Sequence, residues 1–185
     1  MIYASDFRKG ITFEINGEPH VILDFQHVKP GKGAAFVRTK YRNILTGATR
    51  EEAFNPNDKF ENARIETKTM QYLYNDGELY YFMDQETFEQ PAIPGSVIGD
   101  YVGFLKPEME CKLTFYNAEP IDIELPTTVD LKVTYAEQAV RGDTATGVTK
   151  RVTTETGLEV ATPYFVSTND TIRVDTRTGE YVTRV

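Results

Sequence analysis

The side chain best placed for chemistry is Lys32. It stands between two glycines in His27-Val28-Lys29-Pro30-Gly31-Lys32-Gly33-Ala34-Ala35-Phe36. Pro30-Gly31 suits the central positions of a type II turn, and Gly33 lets the chain return without a Cβ clash, so Lys32 is expected at the tip of a protruding hairpin. A tip lysine ordinarily does no more than keep an exposed loop hydrated. With glycine on both sides, however, no neighbouring side chain crowds this amine. It can enter a narrow cavity or be gripped by a modifying enzyme. The segment is not a phosphate-binding P-loop, which needs Gly-x-x-x-x-Gly-Lys-Ser/Thr running into a helix, so nucleotide hydrolysis gains no support.

Beside this loop, Arg38, Lys40 and Arg42 alternate with Val37, Thr39 and Tyr41. Period two puts the cations on one face of a strand and the packing residues on the other. A solvated strand face is the plain reading. From His27 to Arg50, though, there are six cations (Lys29, Lys32, Arg38, Lys40, Arg42, Arg50) and no carboxylate. That points to a polyanion, RNA backbone phosphate, contacted without reading sequence. Tyr41 is expected in the core rather than as a base-stacking platform. A second glycine-rich loop, Gly142-Asp143-Thr144-Ala145-Thr146-Gly147, joins strands further on. Its short polar side chains suit either self-contained turn bonds or contacts to a sugar–phosphate chain.

Enzyme constellations are poor. There is no Gly-x-Ser-x-Gly elbow and no His-Glu-x-x-His, and Cys111 lies in an alternating apolar context that suits a structural thiol. With one cysteine and two histidines, neither a disulfide nor a Cys/His metal site can be assembled. Asp84, Glu86 and Glu89 could form a glycosidase-like pair, but no spacing singles them out, and they are expected to solvate the surface. The expectation is no catalytic residue, no metal and no cofactor.

The elements that must hold these residues read almost wholly as strands. Thr12–Ile15 and His20–Phe25 flank Asn16-Gly17, a type I′ hairpin signal. Further strands are expected at 36–42, 70–74, 79–83, 112–116, 121–125, 129–133, 158–160, 171–174 and 181–182. Only Ile98–Leu105 reads as a short helix, weakened by Gly99 and Gly103. The fold class is therefore all-β: three consecutive small barrels, at residues 1–66, 67–126 and 127–185, with one large sandwich of the same length as the competitor.

The net charge of −8 over 185 residues argues against a protein that coats nucleic acid through a global positive field. It is unevenly spread. Residues 1–66 carry ten basic and nine acidic side chains, 67–126 carry three and eleven, and 127–185 carry seven and eight. A basic patch thus lies inside an acidic protein. No apolar run approaches 18 residues and the N-terminus lacks a signal-peptide pattern, so a cytoplasmic protein with no membrane partner is expected.

Asp24–Arg38, the strand Met70-Gln71-Tyr72-Leu73-Tyr74, Gly142–Gly147 and the terminal Asp175–Val182 closely resemble bacterial translation elongation factor P, in order and over essentially the whole chain. The resemblance implies an N-terminal SH3-like (KOW-type) barrel and two OB-fold barrels in an L shape like tRNA. It implies a monomer without cofactor that binds the ribosome between the peptidyl-tRNA and exit sites and relieves stalling at consecutive prolines. Lys32 would be lengthened by a modifying enzyme, with a β-lysyl or a 5-aminopentanol group both open, and reach the acceptor end of peptidyl-tRNA. Lys29, Pro30, Gly31, Gly33, Arg38, Lys40 and Arg42 would line that RNA contact, and the Gly142–Gly147 loop would approach exit-site messenger RNA. A generic OB/SH3-type RNA-binding module is the alternative. The chain departs from the family pattern at Lys150-Arg151-Val152, Ala161-Thr162-Pro163 and Glu137-Gln138-Ala139-Val140, all around the third barrel.

Overall fold

Alternating β-branched and aromatic residues punctuated by Gly, Asn and Asp build an almost purely stranded molecule. The computed structural model describes residues 1–138 and 148–185. The chain forms two compact units, Met1–Thr67 with Thr114–Ile121, and Lys68–Leu113 with Asp122–Val185.

The N-terminal part contains β1 (Ile2–Tyr3), β2 (Thr12–Ile15), β3 (Glu18–Val28), β4 (Phe36–Asn43), β5 (Thr49–Phe54) and β6 (Lys59–Phe60). β2 to β5 form an antiparallel sheet in sequence order, and β1 pairs with β6. Asn16 and Gly17 have φ of 53° and 77°, the mirror-image turn that the dipeptide implied. β4 alternates as expected: Val37, Thr39, Tyr41 and Asn43 are buried while Arg38, Lys40 and Arg42 are exposed. Beneath it lies an aromatic core in which the Phe13 ring centroid is 5.1 Å from that of Phe7 and 5.3 Å from that of Phe60. β3 is longer than His20–Phe25 because its pairing with β4 continues to Val28 opposite Phe36, with a register shift between Ile22 and Asp24.

The middle sheet comprises β7 (Ile65–Asn75), β8 (Leu79–Asp84), β9 (Ala92–Pro94), β10 (Glu110–Tyr116) and β11 (Glu119–Glu124), in the order β11-β10-β7-β8-β9. The helix expected at 98–105 is different in kind. A single α-turn, α1 (Gly95–Ile98), is followed by a 3-10 segment from Gly99 to Phe104. Gly99 has φ of 54°, which no continuing α-helix accepts.

The last sheet holds β12 (Thr128–Ala136), β13 (Thr149–Thr154), β14 (Glu159–Pro163), β15 (Thr171–Asp175) and β16 (Tyr181–Arg184), in the order β14-β13-β12-β15-β16. Its core of Val129, Leu131, Val133, Val152, Val160, Ile172 and Val174 also takes in Phe104 from the 3-10 segment. Three principal sheets stand in place of one large sandwich.

Phe104 can reach that core because Gly103 has no side chain. A Cβ on Gly103 would lie 3.0 Å from Leu158 Cδ1 and 3.3 Å from Leu158 Cβ. Gly103→Val should therefore destabilise residues 68–113 and 122–185 by about 1–3 kcal/mol through overpacking. Urea unfolding checks this, and an unchanged midpoint would refute it.

Across β12 and β15, Arg173 donates to both oxygens of Asp130, at 2.8 and 3.1 Å. That bidentate bond, aided by the charges of Arg173 and Lys106, holds the Asp130 carboxyl below its ordinary value despite some desolvation. A carboxyl lowered on folding stabilises above its unfolded pKa, about 3.9, and loses that contribution as pH falls through the lower folded value. Both side chains are about two-fifths exposed, so solvent screening keeps the pair's contribution small. Asp130→Asn should lower stability slightly at pH 7, with the gap to the parent closing in acid below about pH 4. Thermal melts at several pH values read it.

Candidate functional site

Lys29 to Ala35 lie between the paired ends of β3 and β4 and are all exposed. Lys32 therefore sits at a hairpin tip. Among the described residues neither Lys29 nor Lys32 has an ion-pair partner. The turn itself differs from expectation: the positive φ is at Gly33 (112°), not at Gly31, so Pro30-Gly31 do not form the centre of a type II turn. A φ of 112° is a glycine conformation, and the nearest atom to a Cβ at Gly33 is Pro30 Cγ at 3.8 Å. Backbone conformation, not crowding, calls for glycine there, while Gly31 leaves open space beside Lys32.

Arg38, Lys40 and Arg42 share the exposed face of β4, but the neighbouring strands bring carboxylates to it. Arg38 Nε is 3.8 Å from Glu51 Oε1, and Lys40 is opposite Asp24 on β3 and Glu51 on β5. Arg42 is opposite Val21 and Thr49 and has no acid in register. Asp24, Gln26, Arg38, Lys40 and Glu51 line a shallow open pocket of about 180 Å³ with Phe25. Asp24 and Glu51 are the site residues that reading along the chain misses, because no acid lies between His27 and Arg50 in sequence and these two arrive by strand pairing. The Arg38–Glu51 pair is more than half exposed, so the carboxylate screens the cation rather than locking it.

Tyr41 is core, as expected. Its ring is packed in the barrel and its hydroxyl donates to Glu52 Oε2 at 2.8 Å; burial, then this bond and the Glu52 charge, push its pKa up to about 12. The Cys111 thiol, only 1% exposed, is pushed by burial to about 12 and is a structural group. Asp84 does not solvate the surface as anticipated. It is buried at the end of β8, where its Oδ1 accepts the backbone N–H of Glu86 and of Thr87 and its carboxyl is held low, first by the Glu86 bond. It is committed to a turn. The Gly142–Gly147 loop and the neighbouring Ala139 and Val140 lie outside the described residues.

Three family models match in succession: the elongation factor P KOW-like domain over residues 3–60, the elongation factor P OB domain over 65–123 and the elongation factor P C-terminal domain over 129–184. The chain belongs to the elongation factor P family. It is 60% identical to elongation factor P of Alkaliphilus oremlandii over 185 residues and 58% identical to that of Alkaliphilus metalliredigens, covering 100% of both chains in each case. Among solved structures it is similar to translation initiation factor 5A from Methanococcus jannaschii, with a TM-score of 0.53 and 25% identity over 67% of this chain and 91% of that one. The architecture is thus a KOW-like domain and two OB-type domains. An elongation factor P is a non-enzymatic translation factor, and membership implies association with the ribosome. Among the described residues no helix is long and apolar enough to cross a membrane.

Proposed function

We propose that the chain is a cytoplasmic, monomeric factor that binds the ribosome between the peptidyl-tRNA and exit sites. There Lys32, lengthened by a modifying enzyme, orients the acceptor end of peptidyl-tRNA and relieves stalling at consecutive prolines. The observation that carries this is the exposed tip between Val28 and Phe36, where Lys32 has no ion-pair partner among the described residues and the flanking Gly31 and Gly33 put no side chain beside it. Proline's ring restricts the geometry of a reacting end, so a factor that fixes that end raises the rate without doing chemistry itself. Lys29, Pro30, Gly31, Gly33 and the Arg38/Lys40/Arg42 face would lie along the RNA, and the Gly142–Gly147 loop would approach messenger RNA. The domain boundaries at 66 and 126 belong to the same proposal.

Phosphate contact predicts a ranking among the three cations. Arg42 has no carboxylate in register, whereas Arg38 is already screened by Glu51. Arg42→Gln should weaken ribosome binding more than Arg38→Gln and lower the log–log salt slope by about 0.7–0.9 for the lost phosphate. Sedimentation with ribosomes over a salt series checks it. Equal losses would contradict the ranking, and binding to free single-stranded RNA as tight as to ribosomes would favour a generic RNA-binding module.

A further inference from the structure

At the opposite end of β3 and β4 from Lys32, a second cavity of about 340 Å³ opens beneath the Asn16-Gly17 turn. Its wall includes Glu18, His20, Tyr41, Asn43, Thr46 and Arg50. His20 is only 7% exposed and its Nδ1 lies 2.9 Å from the Glu18 carbonyl oxygen. A carbonyl only accepts, so Nδ1 carries the proton, the tautomer in which Nε2 is an acceptor. Among the described residues nothing bonds Nε2, yet no side-chain nitrogen or oxygen is both sealed and unpaired, so Nε2 opens on the cavity.

The neighbouring groups are arranged around this acceptor. Asn43 is anchored: its Oδ1 accepts the N–H of Leu45 and of Thr46, and one N–H of its Nδ2 donates to Glu18 Oε2 at 2.7 Å. Asn43 thereby fixes the Glu18 carboxylate and leaves its second oxygen to accept. The His20 and Tyr41 rings meet edge to face at 5.2 Å and give the wall an aromatic lining. Arg50 adds a guanidinium with no ion-pair partner among the described residues. These acceptors, the aromatic wall and a cation without an ion-pair partner among the described residues suit a ligand that brings hydrogen-bond donors, a flat ring and an anionic group together.

We propose that this cavity binds a guanine nucleotide unit. Guanine carries adjacent ring N–H and amino donors on one edge, matching a carboxylate, and a phosphate on the same nucleotide matches Arg50. Discrimination rests on donor geometry: adenine, cytosine and uracil lack the paired ring N–H and amino donors that the Glu18 carboxylate would accept. The proposal stands apart from the role of Lys32: it concerns the far end of the same sheet and survives or fails independently.

The test is a titration of the full-length protein, followed through its backbone amide resonances, with GMP, AMP, CMP and UMP up to about 10 mM, the range where a single nucleotide's few kcal/mol becomes visible. Saturable shifts at His20, Asn43 and Arg50 with GMP, at least about tenfold weaker with the other three, are expected. A uridine oligonucleotide with one central guanosine separates the sources of the base. Tighter binding than GMP indicates an RNA guanine, and equal binding indicates free guanylate. Glu18→Gln should abolish the preference for GMP and Arg50→Gln should weaken all binding; both side chains are exposed, so the fold is retained. No saturable shift with GMP, equal shifts with all four nucleotides, or an unchanged preference in Glu18→Gln would overturn the proposal.

Discussion

Lys32→Ala should leave the stability of the chain within about 0.5 kcal/mol of the parent while removing most of its effect on proline-rich translation. The first half follows from position. Residues 29–35 are exposed, outside any strand, and Lys32 holds no partner among the described residues that its loss would orphan. The second half follows from the proposed role, in which the amine is the group that reaches the tRNA end and no other side chain is offered there by Gly31 or Gly33. Synthesis across consecutive prolines should fall on the order of tenfold, about 1.4 kcal/mol of activation free energy, toward the level without factor. Ribosome binding should be retained in large part, because the cationic face of β4 is untouched. Intact mass measurement completes the comparison: natively purified parent should carry an added group at residue 32 and the variant none. Normal proline-run synthesis by the variant would sink the mechanism.

Phe13→Ala should be the most damaging single core truncation of the N-terminal part, costing about 3–5 kcal/mol. Phe13 is fully buried, and its ring lies within 6 Å of the rings of Phe7, His20, Tyr41 and Phe60. Removing it leaves a void bordered by several stiff aromatic side chains that cannot collapse into it without losing their own packing. A domain's total stability is only about 5–15 kcal/mol, so the sheet that carries the Lys32 tip would be close to unfolding. Amide exchange should therefore accelerate throughout β3 and β4. Phe88, 70% exposed, provides the control, since Phe88→Ala removes little buried surface. If the two variants exchanged alike, the aromatic core would not be what supports the tip.

The parts of this structure legible in sequence are those governed by local rules. Alternation along Phe36–Arg42 separated Arg38, Lys40 and Arg42 from the buried Val37, Thr39 and Tyr41, because strand geometry fixes side with residue number. Asn16-Gly17 announced its hairpin because few dipeptides accept two positive φ angles. What escaped was set by neighbours distant in the chain. Asp24 and Glu51 flank Lys40 through strand register, which a tally from His27 to Arg50 cannot see. Glycine at 103 weakened a helical reading, yet its purpose is space for Leu158, more than fifty residues later. At the tip, Pro30-Gly31 satisfied the rule for a type II turn, but the loop places its positive φ two residues on, at Gly33. The cavity at His20 was likewise invisible: its residues come from the ends of separate strands, and only their pairing assembles it.

Site-specific crosslinking measures the central claim most directly. A photoreactive group placed at residue 32 of the full-length protein, bound to ribosomes halted at consecutive prolines, should label the terminal nucleotides of peptidyl-tRNA. The same group at exposed Phe88 should not. Labelling from residue 32 confined to ribosomal RNA or protein, with none at the tRNA end, would contradict the account.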